Sequence, residues 1–173
     1  MTRRHVILVG LPGAGKSTIG ALVAAALDAP FVDLDELIER RAGKSVARVF
    51  EEDGEAAFRA LEAELGGAAL AGPPSVVAPG AGFFPRDVTR AMTPGSGLVV
   101  YLETAPEEAA ARLGGAAGRP LLAGDDTGAR IAALLAVREP SYRRADRIVT
   151  TGGRRPDEVA ADVVSLARDL AGW

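Results

Sequence analysis

The chain has 173 residues, of which 48% are hydrophobic and 25% charged, so it can bury the core of one compact globular domain. A formal net charge of −3 gives no general attraction for nucleic acid or anionic membranes, and we expect neither as a partner. The absence of cysteine excludes a disulfide scaffold, a zinc knuckle and a thiol nucleophile.

The composition also gives no sign of a membrane span or a leader. The longest apolar tract, residues 19–27, is shorter than the roughly 20 residues that cross a bilayer. The first predicted strand begins within a few residues of Met1, which leaves no room for a signal peptide. We therefore expect a cytoplasmic protein.

Short apolar runs alternate with helical patterns along the whole chain. We predict strands at residues 6–9, 31–32, 76–78, 98–102 and 148–149, and helices at residues 17–27, 35–42, 46–51, 54–65, 85–91, 106–113, 127–142 and 156–171. Strands that alternate with helices form a parallel sheet covered on both faces. The prediction is an α/β, three-layer single domain over residues 1–173 with about five parallel strands, which binds ligands at their carboxyl ends.

Three stretches rich in glycine or proline interrupt this alternation. Residues 66–74 are predicted to connect a helix to a strand. Residues 79–85 follow a strand directly and should lie on the ligand-binding edge of the sheet. Residues 114–128 combine glycines, Arg119-Pro120 and paired aspartates, a composition typical of a mobile flap.

A glycine-rich loop links the first strand to the first helix. Residues 10–18 read Gly-Leu-Pro-Gly-Ala-Gly-Lys-Ser-Thr, which matches G-x-x-x-x-G-K-[ST] in its strand–loop–helix context. In such a loop Lys16 reaches the β- and γ-phosphates, Ser17 binds Mg²⁺, and backbone amides surround phosphate oxygens. A chance glycine turn is the alternative, but the agreement of motif, strand and helix favours a nucleoside triphosphate site. Its predicted contacts are Gly13, Ala14, Gly15, Lys16, Ser17 and Thr18.

Two aspartates, Asp33 and Asp35, follow the second predicted strand. Carboxylates two residues apart at a strand end can project together into the ligand-binding edge. Asp33 is placed to bind Mg²⁺ beside Ser17, directly or through water. Asp35 could orient an acceptor hydroxyl and take its proton. The alternative for Asp35 is a helix N-cap in front of Glu36.

The helix predicted at residues 54–65 carries Arg59 and Glu62 on one face. Such a pair three residues apart is often a solvated surface salt bridge worth about 0.2–0.5 kcal/mol. The functional interpretation is that Glu62 holds Arg59 in place to bind a substrate carboxylate.

These motifs together resemble the shikimate kinase family. The resemblance rests on residues 10–20, on Asp-x-Asp-x-x-Ile-Glu at 33–39, on Gly-x-Ser-x-x-x-x-Phe at 43–50 and on Gly-Glu-x-x-Phe-Arg-x-x-Glu at 54–62. It continues through Arg-Pro-Leu-Leu at 119–122, Arg-x-Pro-x-Tyr at 138–142 and Thr150 to Pro156, so it covers essentially the whole chain in order. The resemblance implies a monomeric P-loop kinase with a lid at about residues 112–126 and a helical substrate-binding segment at about residues 33–62.

The resemblance also implies an acceptor site. It places Asp35 on the ring hydroxyls of shikimate, and Arg59 and Arg138 on its carboxylate. A helix cap before Pro140 is the alternative for Arg138. The other implied acceptor contacts are Gly80, Ala81 and Gly82 in a loop, and Phe50 and Phe58 as an apolar wall under the ring.

Three arginines match the nucleotide end of the family's site. Arg119 corresponds to the lid arginine that reaches over the phosphates, and Arg112 and Arg154 correspond to residues that flank the adenine. Ordinary surface charge is the alternative for Arg112 and Arg154.

The chain departs from the family at one notable position. The family's substrate loop carries three consecutive glycines, whereas residues 79–84 here read Pro-Gly-Ala-Gly-Phe-Phe. If position 81 requires a positive φ, alanine there costs on the order of 1 kcal/mol and shifts the loop. The lid is also unusual, because residues 114–118 carry little polar side chain.

The prediction is therefore ATP- and Mg²⁺-dependent phosphorylation of the 3-hydroxyl of shikimate, with Lys16, Asp35 and Arg119 as catalytic residues. One alternative keeps the fold but takes a sugar acid, a cyclitol or a nucleoside monophosphate as acceptor. Another is a nucleotide switch or a degenerate kinase that only binds. The chain contains no asparagine and so lacks the Asn-Lys-x-Asp signature of GTPase switches, and it keeps the lysine, metal ligand and acceptor aspartate that degenerate kinases lose.

Overall fold

The computed structural model describes residues 2–80, 97–113 and 126–173. Five strands lie in these ranges: β1 (His5–Val9), β2 (Phe31–Asp33), β3 (Val76–Ala78), β4 (Gly97–Glu103) and β5 (Arg147–Thr150). Six helices accompany them: α1 (Lys16–Leu27), α2 (Leu34–Ala42), α3 (Val46–Ala71), α4 (Pro106–Leu113), α5 (Thr127–Tyr142) and α6 (Pro156–Ala171). None of the helices in these ranges is long and apolar enough to cross a lipid bilayer.

The strands form one parallel sheet in the order β2-β3-β1-β4-β5. The central strand β1 pairs on both sides, with Val6 opposite Val76 of β3 and Leu98 of β4. The chain leaves β1 toward one edge of the sheet and later returns past it to β4 on the other side. The carboxyl ends of β1, β2 and β3 therefore lie side by side at the reversal of strand order, where ligands bind in open α/β sheets.

Both faces of the sheet are buried along its three central strands, β3, β1 and β4. Along β1, Val6 and Leu8 pack on one face with α1 and α6, whereas Ile7 and Val9 pack on the other with α2 and α3. Because successive side chains of a strand point to opposite faces, the apolar run Val6–Val9 of β1 needs a helical layer on each side. The α/β, three-layer fold with five parallel strands is thus confirmed.

Helix α3 differs most from the predicted elements. The predicted helices at residues 46–51 and 54–65 are joined, and helix continues to Ala71 through most of the segment predicted to be a connector. The predicted break survives as a kink, because Gly54 has a non-helical φ of 84°. The extension has a simple cause, since residues 68–71 read Ala-Ala-Leu-Ala and are strong helix formers.

Helix α5 changes two further interpretations. It continues through Pro140 to Tyr142, so the proposal that Arg138 caps a helix before Pro140 is wrong. Asp126 caps the N-terminus of α5 by accepting from the Ala129 amide, so residues 127–128, predicted both as the end of the flap and as the start of the helix, are helical. The rest of the predicted flap, at 114–125, and the predicted helix at 85–91 lie outside the described residues.

Candidate active site

The loop after β1 has the backbone of a phosphate cradle. Gly13 and Gly15 adopt φ values of 82° and 91°, a region that side-chain-bearing residues rarely enter. Gly15 is the N-cap of α1, so the free amides of the first helical turn face the space enclosed by the loop. A Cβ on Gly13 would also lie 3.1 Å from the carbonyl carbon of Ala109 in α4. Glycine is therefore required there both by conformation and by packing.

Lys16 is held at the mouth of this cradle. Its Nζ donates to the carbonyl oxygens of Gly10 and Leu11, each at 2.9 Å. These bonds bring the ammonium back over the loop that precedes it, instead of letting it extend into solvent. The loop amides, the helix N-terminus and one fixed cation thus provide positive potential in one place, which suits a polyphosphate.

Ser17 and Asp33 meet beside the cradle. The Ser17 hydroxyl donates to Oδ2 of Asp33 at 2.5 Å. The other oxygen, Oδ1, accepts from the amides of Asp35 and Glu36, which makes Asp33 the N-cap of α2. The alternative that Asp35 is the cap is therefore wrong, because the helix begins one residue before Asp35, at Leu34.

The donor set at Ser17 and Asp33 fits Mg²⁺. A hydroxyl and a carboxylate are hard oxygen ligands, and Mg²⁺ takes one or two protein ligands together with water and phosphate oxygens. The described residues hold no cluster of three or more His, Cys, Asp or Glu side chains that could bind a metal ion.

Asp35 faces Gly80, the first residue after Pro79 beyond β3. A Cβ built on Gly80 would lie 2.9 Å from Cγ of Asp35 and closer still to its Oδ1. The carboxylate therefore occupies the space that a side chain at position 80 would fill. Gly80 carries no positive φ, so close approach, not backbone conformation, explains the glycine.

Replacing Gly80 by alanine is expected to leave the fold intact and displace the Asp35 carboxylate. The neighbouring atom is the end of a side chain that can rotate, so we expect a loss of about 1–2 kcal/mol in unfolding free energy at most. Phosphoryl transfer should fall about tenfold or more, since misplaced catalytic groups are costly. The measurement is kcat by an ADP-coupled assay together with the thermal midpoint.

Gly67→Ala is the matched control, because a Cβ on this helical glycine meets nothing within 4 Å. It should keep full kcat and be slightly stabilised. Equal kcat for Gly80→Ala and the wild-type protein would show that residue 80 does not determine the position of the Asp35 carboxylate.

Close to Asp35, helices α3 and α5 carry charged side chains around the buried carboxyl group of Glu62. Arg59 donates to Oε2 of Glu62 at 2.8 Å, and the Glu62 side chain is only 4% exposed. Oε1 of Glu62 is buried and has no hydrogen-bond partner. Burial raises the pKa of Glu62 to about 7, with Arg59 and Arg138 opposing the shift and Asp35 adding to it. The interpretation of Arg59 and Glu62 as a solvated surface pair is therefore wrong.

Arg138 completes this group from the other helix. It is only 5% exposed, and arginines are rarely buried to this extent unless they are paired. Its charge acts on Glu62 and on Tyr142, whose hydroxyl it contacts by a hydrogen bond. Two arginines on different helices thus lie around one carboxyl, an arrangement suited to binding a carboxylate ligand.

The two predicted wall phenylalanines have different surroundings. Phe58 is 2% exposed and belongs to the core on the α2–α3 face of the sheet. Phe50 packs on it with ring centroids 4.4 Å apart and is only partly buried. The guanidinium of Arg59 lies 5.6 Å from the centre of the Phe58 ring. Phe58 therefore supports Arg59 from the core side, and Phe50 is the more accessible ring.

The other end of the site lies between α4 and the segment after β5. Arg112 donates to Oγ1 and to the carbonyl oxygen of Thr151, at 3.2 and 3.1 Å. Arg154 donates to the carbonyls of Thr150 and Glu158 and pairs with Asp162 at 2.8 Å. Both arginines are tied into the structure rather than left as extended surface charges.

One cavity of about 400 Å³ connects these parts. Among the described residues, it is lined by the cradle together with Asp33, Asp35, Pro79, Arg112, Thr151 and Arg154. Asp35 and Lys16 therefore border the same space, as the predicted reaction requires. Arg59, Arg138 and Phe58 lie outside this lining, behind Asp35. Ala81, Gly82 and Arg119 lie outside the described residues.

Sequence reasoning missed Thr151 as a site residue. It is 1% exposed, its hydroxyl lies 2.6 Å from that of Thr104, and it anchors Arg112 at the cavity wall. Its position gave a signal, because it immediately follows the last strand of a parallel sheet, where ligand-binding residues collect.

Comparison with known proteins agrees with the motifs. The family model for shikimate kinase matches residues 12–168. Curated shikimate kinases from Thermobifida fusca and Mycobacterium avium are 43% identical over 171 residues and 45% identical over 160 residues. These alignments cover 99% and 92% of this chain, and 98% and 90% of the relatives. A solved shikimate kinase from Acinetobacter baumannii, in complex with shikimate, superposes with a TM-score of 0.90 at 31% identity, covering 97% of this chain and 94% of that one.

Proposed function

The chain belongs to the shikimate kinase family, and from this membership we infer that it transfers the γ-phosphoryl group of ATP to the 3-hydroxyl of shikimate. The products are shikimate 3-phosphate, ADP and a proton. The acceptor oxygen forms a bond to the γ-phosphorus while the bond from that phosphorus to the β–γ bridging oxygen breaks. The roles of the individual residues are proposals that follow from the geometry above.

We propose that the phosphate cradle binds the triphosphate of ATP. The amides of residues 13–18 would surround the β-phosphate, and Lys16 would move from the carbonyls of Gly10 and Leu11 to the β- and γ-oxygens. Arg112 and Arg154 would flank the adenine, since both line the cavity beyond the cradle. Arg119 would reach over the phosphates, a role supported by its motif alone.

Ser17 and Asp33 would hold the metal, the first directly and the second directly or through water. Mg²⁺ bound there would offset charge on the β- and γ-oxygens during transfer. Asp33 also caps α2, so its carboxylate is held by the backbone of the helix that carries Asp35. The metal site and the acceptor aspartate are thereby held at a constant separation.

On the acceptor side, Arg59 and Arg138 would bind the carboxylate of shikimate while Asp35 aligns its hydroxyl and takes the proton. Gly80, Ala81 and Gly82 would contact the acceptor from the loop after β3, and Phe50 would face its ring. Phe58 would act from beneath, by supporting Arg59. Positioning and electrostatics supply most of the acceleration, because a transferred phosphoryl group needs little covalent help.

One observation carries the proposal. Asp35 lines the same cavity as Lys16, and on its other side it acts on the buried carboxyl that binds Arg59. A group that takes the acceptor proton must lie between the phosphate cradle and the carboxylate-binding arginines. Asp35 has this intermediate position. Membership of the shikimate kinase family supports the further proposal of a monomer that works in the cytoplasm, where ATP is available.

A panel of acceptors tests the function. ATP consumption should be rapid with shikimate and at background level with gluconate, inositol or AMP, each in the presence of Mg²⁺. Rapid turnover of gluconate or inositol with none of shikimate would contradict the proposal and favour a related small-molecule kinase. The shikimate product should carry phosphate on the 3-hydroxyl, as read by phosphorus–proton correlation NMR.

Arg59→Ala should raise the KM for shikimate while leaving the KM for ATP within about twofold. A charge-assisted contact to a carboxylate is worth about 1.5–3 kcal/mol, which corresponds to roughly 10- to 150-fold in KM. Arg48→Ala is the matched control, because this arginine lies on the same helix and pairs only on the surface with Glu52 among the described residues. A KM for shikimate that is unchanged in Arg59→Ala would refute carboxylate binding by Arg59.

A further inference from the structure

Binding of an acceptor carboxylate would change the net charge of the groups around Glu62. Four ionisable groups come together behind the acceptor site: Arg59 and Glu62 on α3, Asp35 on α2 and Arg138 on α5. With both carboxyls ionised, the two arginines are balanced and the group is neutral. An acceptor carboxylate adds a third negative charge to a region in which Glu62 and Arg138 are only 3% and 5% exposed. A buried, uncompensated charge is strongly unfavourable.

The hydrogen bonding of Glu62 indicates how this charge can be removed. Oε2 accepts from Arg59, whereas Oε1 is buried without a partner. An ionised carboxylate can only accept, but a protonated Oε1 can donate. A neighbouring acceptor carboxylate offers the acceptor that this proton needs. The same proton restores neutrality to the four groups and their ligand.

Resting on the proposed function, we propose that Glu62 is a positioning residue that takes up a proton from solvent when the acceptor carboxylate binds to Arg59 and Arg138. The neutral carboxyl group keeps its contact to Arg59 through Oε2, so Arg59 remains oriented. The positive charges of Arg59 and Arg138 can then pair with the carboxylate of the ligand. The proton returns to solvent when the phosphorylated product leaves. The charged groups that face Glu62 in the described ranges are Arg59, Asp35 and Arg138.

The single histidine of the chain lies away from the acceptor site and would not take up this proton in place of Glu62. His5 lies at the amino end of β1, at the opposite edge of the sheet from the cradle, and its ring is hydrogen-bonded to Ser75 at 3.1 Å. Burial raises the pKa of Glu62 to about 7, so the free protein at pH 8 holds it mostly ionised and ready to accept a proton. At pH 6 it is mostly protonated already.

Calorimetric titration of shikimate into the free protein tests this proposal. Heats measured in phosphate and in Tris, which differ in ionisation enthalpy, give the number of protons taken up. We expect uptake of more than about half a proton at pH 8 and little at pH 6, and the affinity for shikimate should fall several-fold as the pH rises from 6 to 8. Glu62→Gln should bind shikimate with no buffer dependence and no pH dependence.

Two controls keep the outcome specific. Glu55→Gln removes the exposed carboxylate that also pairs with Arg59, at 3.3 Å, and should keep the proton uptake of the wild-type protein. The neutral carboxamide of shikimate should bind weakly and take up no proton. These wild-type measurements stand even where Glu62→Gln fails to fold, which circular dichroism would reveal.

The possible failures are distinguishable. Absence of binding heat in every buffer would contradict the proposed function itself. Binding with buffer-independent heat in the wild-type protein at pH 8 would leave that function intact and overturn proton uptake. Equal proton uptake in a folded Glu62→Gln protein would assign the proton to another group and likewise overturn the proposal.

Discussion

Asp35→Ala is expected to remove phosphoryl transfer while the protein still folds and binds ATP. Asp35 lines the cavity with Lys16 and would both align the acceptor hydroxyl and take its proton. Loss of a general base costs about 10²- to 10⁴-fold in kcat. The stability change should be small, because Asp35 does not cap α2 and the favourable charge that it places in the first turn is worth about 0.3–1 kcal/mol.

Steady-state kinetics, ATP binding and thermal unfolding together check this prediction. Asp35→Asn keeps the size of the side chain and should lose nearly as much activity, which would separate charge from shape. Asp53→Ala is the matched control, since that carboxylate is 42% exposed and pairs with Lys44 on the surface. Full turnover by a folded Asp35→Ala protein would count decisively against the role of Asp35.

Lys16→Met should cause the second large loss. Lys16 is the cation at the cradle, and its contact to the β- and γ-oxygens should strengthen as charge develops in the transition state. Removing one such preorganised contact costs about 10²- to 10³-fold in kcat. The two bonds that its Nζ donates to Gly10 and Leu11 are also lost, at about 1 kcal/mol of stability each.

The chain supplies an unusually clean control for this experiment. Its two lysines are Lys16 and Lys44, and the partly buried Lys44 forms ion pairs with Glu52 and Asp53. Lys44→Met should change kcat by less than about twofold, since Lys44 does not line the cavity that holds Lys16 and Asp35. If both variants kept wild-type kcat in the ADP-coupled assay, Lys16 could not act on the transferred phosphoryl group.

Local sequence patterns predicted the elements of this fold well. The runs at 76–78, 106–113, 127–142 and 156–171 match the observed β3, α4, α5 and α6 exactly. The signals were strong because each segment carries its own boundary, such as Pro106 and Pro156 at the first helical position. The one substantial error was to end the third helix before residue 66. The glycines and prolines within residues 66–74 suggested a connector, whereas the helix-forming residues 68–71 continue α3 to Ala71.

Residues whose roles depend on burial could not be judged in this way. Arg59 and Glu62 are three residues apart, which is equally typical of a surface salt bridge and of a buried pair. In the structure the Glu62 side chain is 4% exposed, and this burial, with a smaller effect from Asp35, raises its pKa to about 7. Likewise, Asp33 rather than Asp35 caps α2, a difference of two residues that depends on where the helix actually begins.

The sequence by itself determined the phosphate cradle, the order of strands and helices, and the family, because each depends on residues that are close together in the chain. Only the tertiary structure decided that Gly80 makes room for Asp35, that Thr151 anchors Arg112 and that Arg138 lies near Glu62. These contacts join residues 39 or more positions apart, and the sheet brings them together by aligning the carboxyl ends of its strands. Their energies depend on exclusion of water, which no local pattern records.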